Sequence, residues 1–214
     1  DAHMFFQQGR QALHHVPLIF HELMWRFGEK PGLVRSHDHR VLCPEVLFPI
    51  CHGTYGEDGC FQGLAAMAGI ACVGTATLGA AVCMDKDVCK RLLRDAGINV
   101  APWFAIRAED PAPAYAEVVS QLGGHVFVKA ASLGSSVGVY QVRNEQEYDA
   151  AIDGVFKLDK KALIEQSVAE ARELECAVLC ADKIASTLVG EIVPKQGFYD
   201  YEAKYVDANA VAYQ

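Results

Sequence analysis

His125-Val-Phe-Val-Lys129-Ala-Ala-Ser-Leu-Gly134-Ser135-Ser136-Val-Gly138-Val-Tyr140 is the stretch on which the fold turns. A β-branched and aromatic run ends in Lys129, a loop of small residues follows, and a second apolar run starts at Val137. This order predicts strand, loop, strand, with the lysine at the strand end beside a mobile hairpin. Glycine frees backbone N–H groups, Ser135 and Ser136 add hydroxyls, and Lys129 adds a cationic head; together they suit a polyphosphate. The same residues would also build an ordinary Gly/Ser hairpin turn with a solvated lysine. The flanking sequence has to decide.

Downstream, Asn144 followed by Glu147 is a capping box that predicts a helix to about Phe156. Strands are expected over 161–166, 173–180 and 187–193. Upstream, Ala114 to Leu122 reads as a helix closed by Gly123-Gly124, and Trp103 to Arg107 as a strand. This region is therefore expected to be antiparallel sheet with helices on one side. A composition shift over 99–102 marks a domain boundary.

Before that boundary, Val46 to Cys51 is a near-continuous apolar run of the kind found in buried α/β strands. It empties into His52-Gly-Thr-Tyr-Gly-Glu57-Asp58-Gly59, then a helix from about Cys60 to Ala68 with Gly69 as its C-cap. That order puts His52 and Glu57 at the carboxyl end of a strand, where α/β proteins hold ligands. A short strand is expected over 70–73. One long helix is expected from Thr77 to Ala96, ended by Gly97. Residues 1–45 are poorly legible; 12–27 is apolar enough for a helix, although Pro17 interrupts it. His21-Glu22 lacks the second histidine of a zinc-protease helix, and His37-Asp38-His39 has no clear partner, so no metal site is assigned.

Composition narrows the function classes. The 214 residues are 51% hydrophobic and 21% charged, enough for a real core. A formal net charge of −8 argues against nucleic acid and against an anionic membrane surface. Any phosphate must be held by a local site. The eight cysteines include no C-x-x-C pair and sit mostly in apolar runs, which predicts buried free thiols in a reducing compartment. No run approaches a membrane span, and no signal-peptide pattern is read, so the expectation is a soluble cytoplasmic protein.

A further loop, Gly197-Phe-Tyr199-Asp-Tyr201-Glu202-Ala-Lys204-Tyr205, is too aromatic for a plain linker. Taken in order with Glu57-Asp58-Gly59, Met84-Asp85-Lys86, Lys129, Gly134 to Gly138 and Arg172-Glu-Leu-Glu175, it makes the chain resemble the D-alanine–D-alanine ligases of the ATP-grasp superfamily from about 45 to 205. The resemblance implies an α/β fold (α+β ATP-grasp) in three parts. Residues 1–98 would form an N-terminal, substrate-side domain with a partly parallel sheet. Residues 99–167 would form the central ATP-grasp domain, and 168–214 the start of the C-terminal one.

The resemblance also assigns residues. Lys86 and Lys129 would hold the inner phosphates of ATP, and Ser135 and Ser136 lie in the flap that closes over the terminal ones. Glu165, Gln166 and Val168 would form the hinge beside the adenine, and Glu173 would bind the ribose. Lys204 would reach the γ-phosphate, while Tyr205, His52 and Glu57 would face the amino-acid substrates. Of these, Ser135, Lys204, Tyr205 and His52 are the expected catalytic set. Tyr205 points to a dipeptide rather than a D-lactate ester; another acceptor, or a non-catalytic nucleotide-binding fragment, are the competing readings. ATP and Mg²⁺ (or Mn²⁺) are the implied cofactors, D-alanine the substrate and a homodimer the implied assembly. The family's Mg²⁺ ligands and oxyanion-stabilising arginine are expected beyond Gln214, and its first glycine-rich loop is not visible. The chain alone is thus expected to be the middle of a longer protein, not competent by itself, with open sheet edges and exposed apolar surface.

Overall fold

The computed structural model describes residues 23–26, 32–180, 182–194 and 211–213. They divide into two compact units, 1–98 with 131–134, and 99–130 with 135–214.

The second unit holds the clearest core. Strands β6 (Trp103–Arg107), β9 (Lys161–Gln166), β7 (Val126–Ala130) and β8 (Val139–Val142) form one antiparallel sheet in the order β6-β9-β7-β8. Side chains alternate across such a sheet. Val126, Val128 and Ala130 of β7 pair in register with Gln166, Ile164 and Ala162 of β9. Apart from Gln166, these are fully buried. Helices α4 (Tyr115–Leu122) and α5 (Glu145–Phe156) pack on the sheet and bury Val118, Leu122, Tyr148, Ala151 and Val155. The opposite face carries Phe127 and Lys129 beside Glu165. Helix α5 starts as its sequence predicts: the Glu147 N–H donates to Asn144 Oδ1 at 2.9 Å. The Glu147 carboxylate closes the box one residue earlier than usual, accepting the Arg143 N–H at 2.8 Å.

The rest of this unit is smaller ladders. The expected strand over 173–180 is two strands, β10 (Glu173–Glu175) and β11 (Val178–Cys180). Between them the chain turns out of line where Ala177 exchanges bonds with Thr187, its N–H going to Oγ1 at 3.1 Å and its carbonyl receiving the Thr187 N–H at 2.9 Å. Strand β11 pairs with β12 (Ile184–Ser186), and β10 with β13 (Gly190–Pro194), which pairs with β14 (Val211–Tyr213). Leu179, Ile184 and Leu188 are exposed on this side.

In the first unit, β1 (Leu23–Arg26), β2 (Gly32–Arg35) and β3 (Val41–Leu42) form an antiparallel meander. The helix expected over 12–27 is therefore replaced by strand at 23–26; its other residues lie outside those described. The apolar run from Val46 contributes only β4 (Val46–Leu47), parallel to β5 (Ala71–Cys72). Pro49 lacks an N–H and cannot extend the ladder, and Phe48 and Ile50 on either side are exposed rather than buried. Helix α1 (Cys60–Met67) follows and ends on left-handed Gly69 as expected. The long helix expected from Thr77 breaks into α2 (Thr77–Met84) and α3 (Lys86–Asp95). The thiols also differ from expectation: all eight cysteines are free, but six are exposed and Cys72 and Cys89 half-buried, because the short ladders and small helices that carry them leave one side uncovered among the described residues.

Candidate active site

The break between α2 and α3 sets the position of Lys86. Asp85 leaves the helical conformation, with ψ 103°, and its carboxylate accepts the Val88 N–H at 3.0 Å as an N-cap. The Lys86 N–H then leaves the helical ladder and donates to the Ala131 carbonyl at 2.9 Å. Its ammonium donates to the Leu133 carbonyl. Both ends of Lys86 are thereby tied to the segment that opens the Gly/Ser loop. The sequence carried a signal for this cap that the helix reading passed over. Small apolar residues up to Met84 give way at Asp85 to the charged pattern KDVCKRLLRD.

Also in the first unit, the loop bearing His52 is built by its acids. Glu57 accepts the Gly53 N–H at 2.5 Å, next to His52. Asp58 accepts the N–H groups of Tyr55 and Cys60 at 2.8 and 3.0 Å. Partial burial pushes the Asp58 carboxyl upward, but these donated bonds outweigh it and hold it below the usual carboxylate range. Gly59 starts α1 with φ 92°, and a Cβ there would stand 2.6 Å from the Thr77 carbonyl oxygen, so only glycine fits. His52 and Glu57 are both exposed. Elsewhere in the unit, Asp38 is engaged by Arg35 and by the Arg40 N–H at 3.1 Å. Among the described residues no group of three His, Cys, Asp or Glu side chains could hold a metal ion.

In the second unit, the Lys129 ammonium donates to the Glu165 carboxylate on the sheet face away from α4 and α5 and lies 5.2 Å from the centre of the Phe127 ring. Both side chains of the pair are mostly buried, at 22% and 15% exposed. Sequence reasoning gave Glu165 a hinge role through its backbone and missed its carboxylate as the partner of Lys129. The Gly/Ser loop closes where the Ala130 N–H donates to the Gly138 carbonyl at 2.7 Å. Within it Ser135 and Ser136 both take left-handed backbone, φ 54° and 61°, a region costly for residues with a Cβ. The flanking Gly134 and Gly138 complete a loop of small residues.

At the end of β9, the segment expected to serve as the hinge has part of its backbone committed. The Gln166 N–H donates to the Pro102 carbonyl at 3.0 Å and the Ser167 N–H to the His125 carbonyl at 3.2 Å. Val168 follows and is exposed. Glu173 lies in a different sheet, opposite Ile192 of β13, beside the two-bond ion pair of Arg172 with Glu191 at 2.9 and 2.5 Å. The Arg172 guanidinium holds the Glu191 carboxyl below its ordinary range. Lys204 and Tyr205 lie outside the described residues. The structure thus brings together Lys129 with Glu165, Lys86 with the 131–133 backbone, and Glu57 with the backbone beside His52.

A helix-backed antiparallel sheet with a strand-end lysine and a Gly/Ser loop is the ATP-grasp class of fold. The chain belongs to the D-alanine–D-alanine ligase family: the family model described as "D-ala D-ala ligase C-terminus" matches residues 92–214. A D-alanine–D-alanine ligase of Oceanobacillus iheyensis is 45% identical over 189 residues, covering 87% of this chain and 51% of the relative. The D-alanine–D-alanine ligase from Coxiella burnetii superposes with TM-score 0.72 at 37% identity, over 79% of this chain and 50% of that one. A D-Ala:D-Ser ligase from Enterococcus faecalis superposes with TM-score 0.71 at 34% identity, over 86% of this chain and 52% of that one. The chain spans about half the length of the relatives it matches. Among the described residues, no helix is long and apolar enough to cross a membrane.

Proposed function

We propose that the protein carrying this chain is a cytoplasmic ATP-dependent ligase that joins two D-alanines through a D-alanyl phosphate, supplying a dipeptide for peptidoglycan. The observation that supports this most is Lys129, pinned by Glu165 at a strand end that leads into the left-handed Ser135-Ser136 loop. A fixed ammonium beside a loop of small residues, where backbone can approach closely, suits a bound polyphosphate.

In this reading a carboxylate oxygen of the first D-alanine attacks the γ-phosphorus of ATP, and ADP leaves. The amino nitrogen of the second D-alanine then attacks the acyl carbon, and the C–O bond to phosphate breaks. Charge spreads over oxygens in both steps, so positioning and fixed cationic donors do most of the work. Lys86 and Lys129 hold the inner phosphates, and the Ser135 and Ser136 segment closes over the outer ones. Lys204 serves the γ-phosphate and Tyr205 the second amino acid. His52 orients a substrate carboxylate, with Glu57 holding its loop in shape. Because the Gln166 and Ser167 N–H groups are committed, reading the adenine edge falls to the backbone at Val168, with Glu165 and Gln166 shaping the pocket and Glu173 accepting from the ribose. Among the described residues no group of three His, Cys, Asp or Glu side chains could hold a metal ion by itself. A pair of copies is the proposed assembly, which light scattering would measure.

ADP release by the whole purified protein that carries this chain, supplied with Mg²⁺ and ATP, tests the reading. Release that needs D-alanine supports it, and nucleotide binding with no D-alanine-dependent release overturns it. Because one structural neighbour is a D-Ala:D-Ser ligase, D-serine and D-lactate belong in the same assay as second substrates. Faster release with either would move the acceptor assignment.

A further inference from the structure

Among the described residues, β10 is an edge strand, joined to its sheet by a three-residue antiparallel ladder with β13, which β14 supports from the other side. So short a ladder specifies register weakly, and a slip of one residue would turn every side chain of β10 to the opposite face. The two faces differ. Glu173 is half-buried and stands opposite Ile192, which is 4% exposed. Leu174 stands opposite Glu191 and is 55% exposed. Arg172, two residues before Leu174, reaches this same open side and grips Glu191 with two bonds, Nε to Oε1 at 2.9 Å and Nη2 to Oε2 at 2.5 Å. The bonds therefore run diagonally across the ladder, from the residue just before β10 to the middle pair of its register. A two-bond guanidinium–carboxylate fork constrains angle as well as distance. It closes in this register; one step along β13 the carboxylate would project from the other face.

We propose that Arg172 and Glu191 are positioning residues whose ion pair locks the register of β10 and so holds Glu173 on the covered face. The pair thereby determines how well the site tells a nucleotide with free 2′ and 3′ hydroxyls from one without them. This rests on the ribose role proposed for Glu173. A carboxylate accepts from both hydroxyls of a vicinal diol only where the strand presents it to them, and the ion pair acts from the opposite side of that strand without touching the nucleotide. Arg172 is 70% exposed, so salt screens the pair, and discrimination that depends on it is salt-sensitive.

The test titrates ATP and 2′,3′-dideoxy-ATP by calorimetry into the whole protein that carries this chain and takes the ratio of the two affinities. The two nucleotides carry equal charge, so the ratio cancels general effects of salt and of stability. In the wild type ATP should bind tighter by about tenfold or more, the worth of hydrogen bonds to a carboxylate. Glu191→Gln and Arg172→Gln should each reduce the ratio to about threefold or less, and the exchanged pair, Arg172→Glu with Glu191→Arg, should restore it. Added salt should narrow the ratio in the wild type and leave it unchanged in Glu191→Gln. A ratio that survives both single substitutions but collapses in Glu173→Gln overturns the role of the ion pair. Equal binding of the two nucleotides by the wild type overturns the ribose role of Glu173 and this inference with it, while D-alanine-dependent ADP release still decides the ligase reading.

Discussion

Lys129 and Glu165 are paired across two neighbouring strands, 36 residues apart in sequence, on the sheet face turned away from the helices. Glu165 stands opposite Phe127 in register, so the ammonium reaches back diagonally along β7, near the Phe127 ring, to meet it. The carboxylate holds the charged head in one place without filling its other donors. An ammonium has three, and those left over are what a phosphate would take.

Replacing Lys129 with alanine should weaken ATP binding by roughly 2–3 kcal/mol, about 30- to 150-fold. Glu165→Ala should weaken it less and lower the melting temperature, because a mostly buried ammonium loses its partner. Calorimetric titration of both variants checks this. An unchanged ATP affinity for Lys129→Ala would remove the lysine from the site.

Asp85→Ala should destabilise the protein by about 1 kcal/mol through loss of the cap on α3. Asp85→Asn, which keeps an acceptor for the Val88 N–H, should recover most of it. Urea unfolding of the three proteins measures the difference. Equal losses for both variants would mean the charge matters rather than the cap.

Gly154 lies inside α5, where alanine normally stabilises a helix by about 1 kcal/mol. Here a Cβ would fall 2.8 Å from the Tyr140 hydroxyl oxygen and 2.9 Å from its ring. Tyr140 lies at the surface and would swing outward, giving up its packing on the helix. Gly154→Ala alone should therefore leave stability nearly unchanged, whereas in a Tyr140→Ala background it should add about 1 kcal/mol. A double-mutant cycle that shows no coupling would contradict this contact.

Tyr148 is 3% exposed and donates its hydroxyl to the Pro113 carbonyl at 3.0 Å. Burial first, then the nearby Asp149 and Glu117, push its pKa up from 10.0 to about 12. The folded state therefore holds this proton more tightly than the unfolded state does. The resulting stability is complete below about pH 10 and is lost as pH rises toward 12. Its size is on the order of 1–3 kcal/mol. Denaturation across that range should show a downward slope that Tyr148→Phe reduces; an identical slope in the variant would locate the alkaline sensitivity elsewhere.

Much of this protein was legible from local pattern. Alternation in 126–130 and 161–166, the Asn144 cap, and the glycines at 69, 97 and 123 depend on neighbours within a few residues, so sequence alone placed those elements and the lysine at the end of β7. Order and spacing of the motifs likewise carried the family. Short ladders were less legible, because hydrophobicity over 46–51 outweighed the single Pro49 that limits pairing.

Tertiary structure alone decided the partners. Glu165 meets Lys129 through strand register, and Lys86 meets the carbonyls of Ala131 and Leu133 because the chain returns to it from more than forty residues away. Local propensity has no term for such pairs: a lysine reads the same whether it ends in water, on a carboxylate or on a carbonyl. Which it meets is set by the packing of elements distant in sequence, and that packing converts a strand-end lysine and a helix lysine into fixed charges.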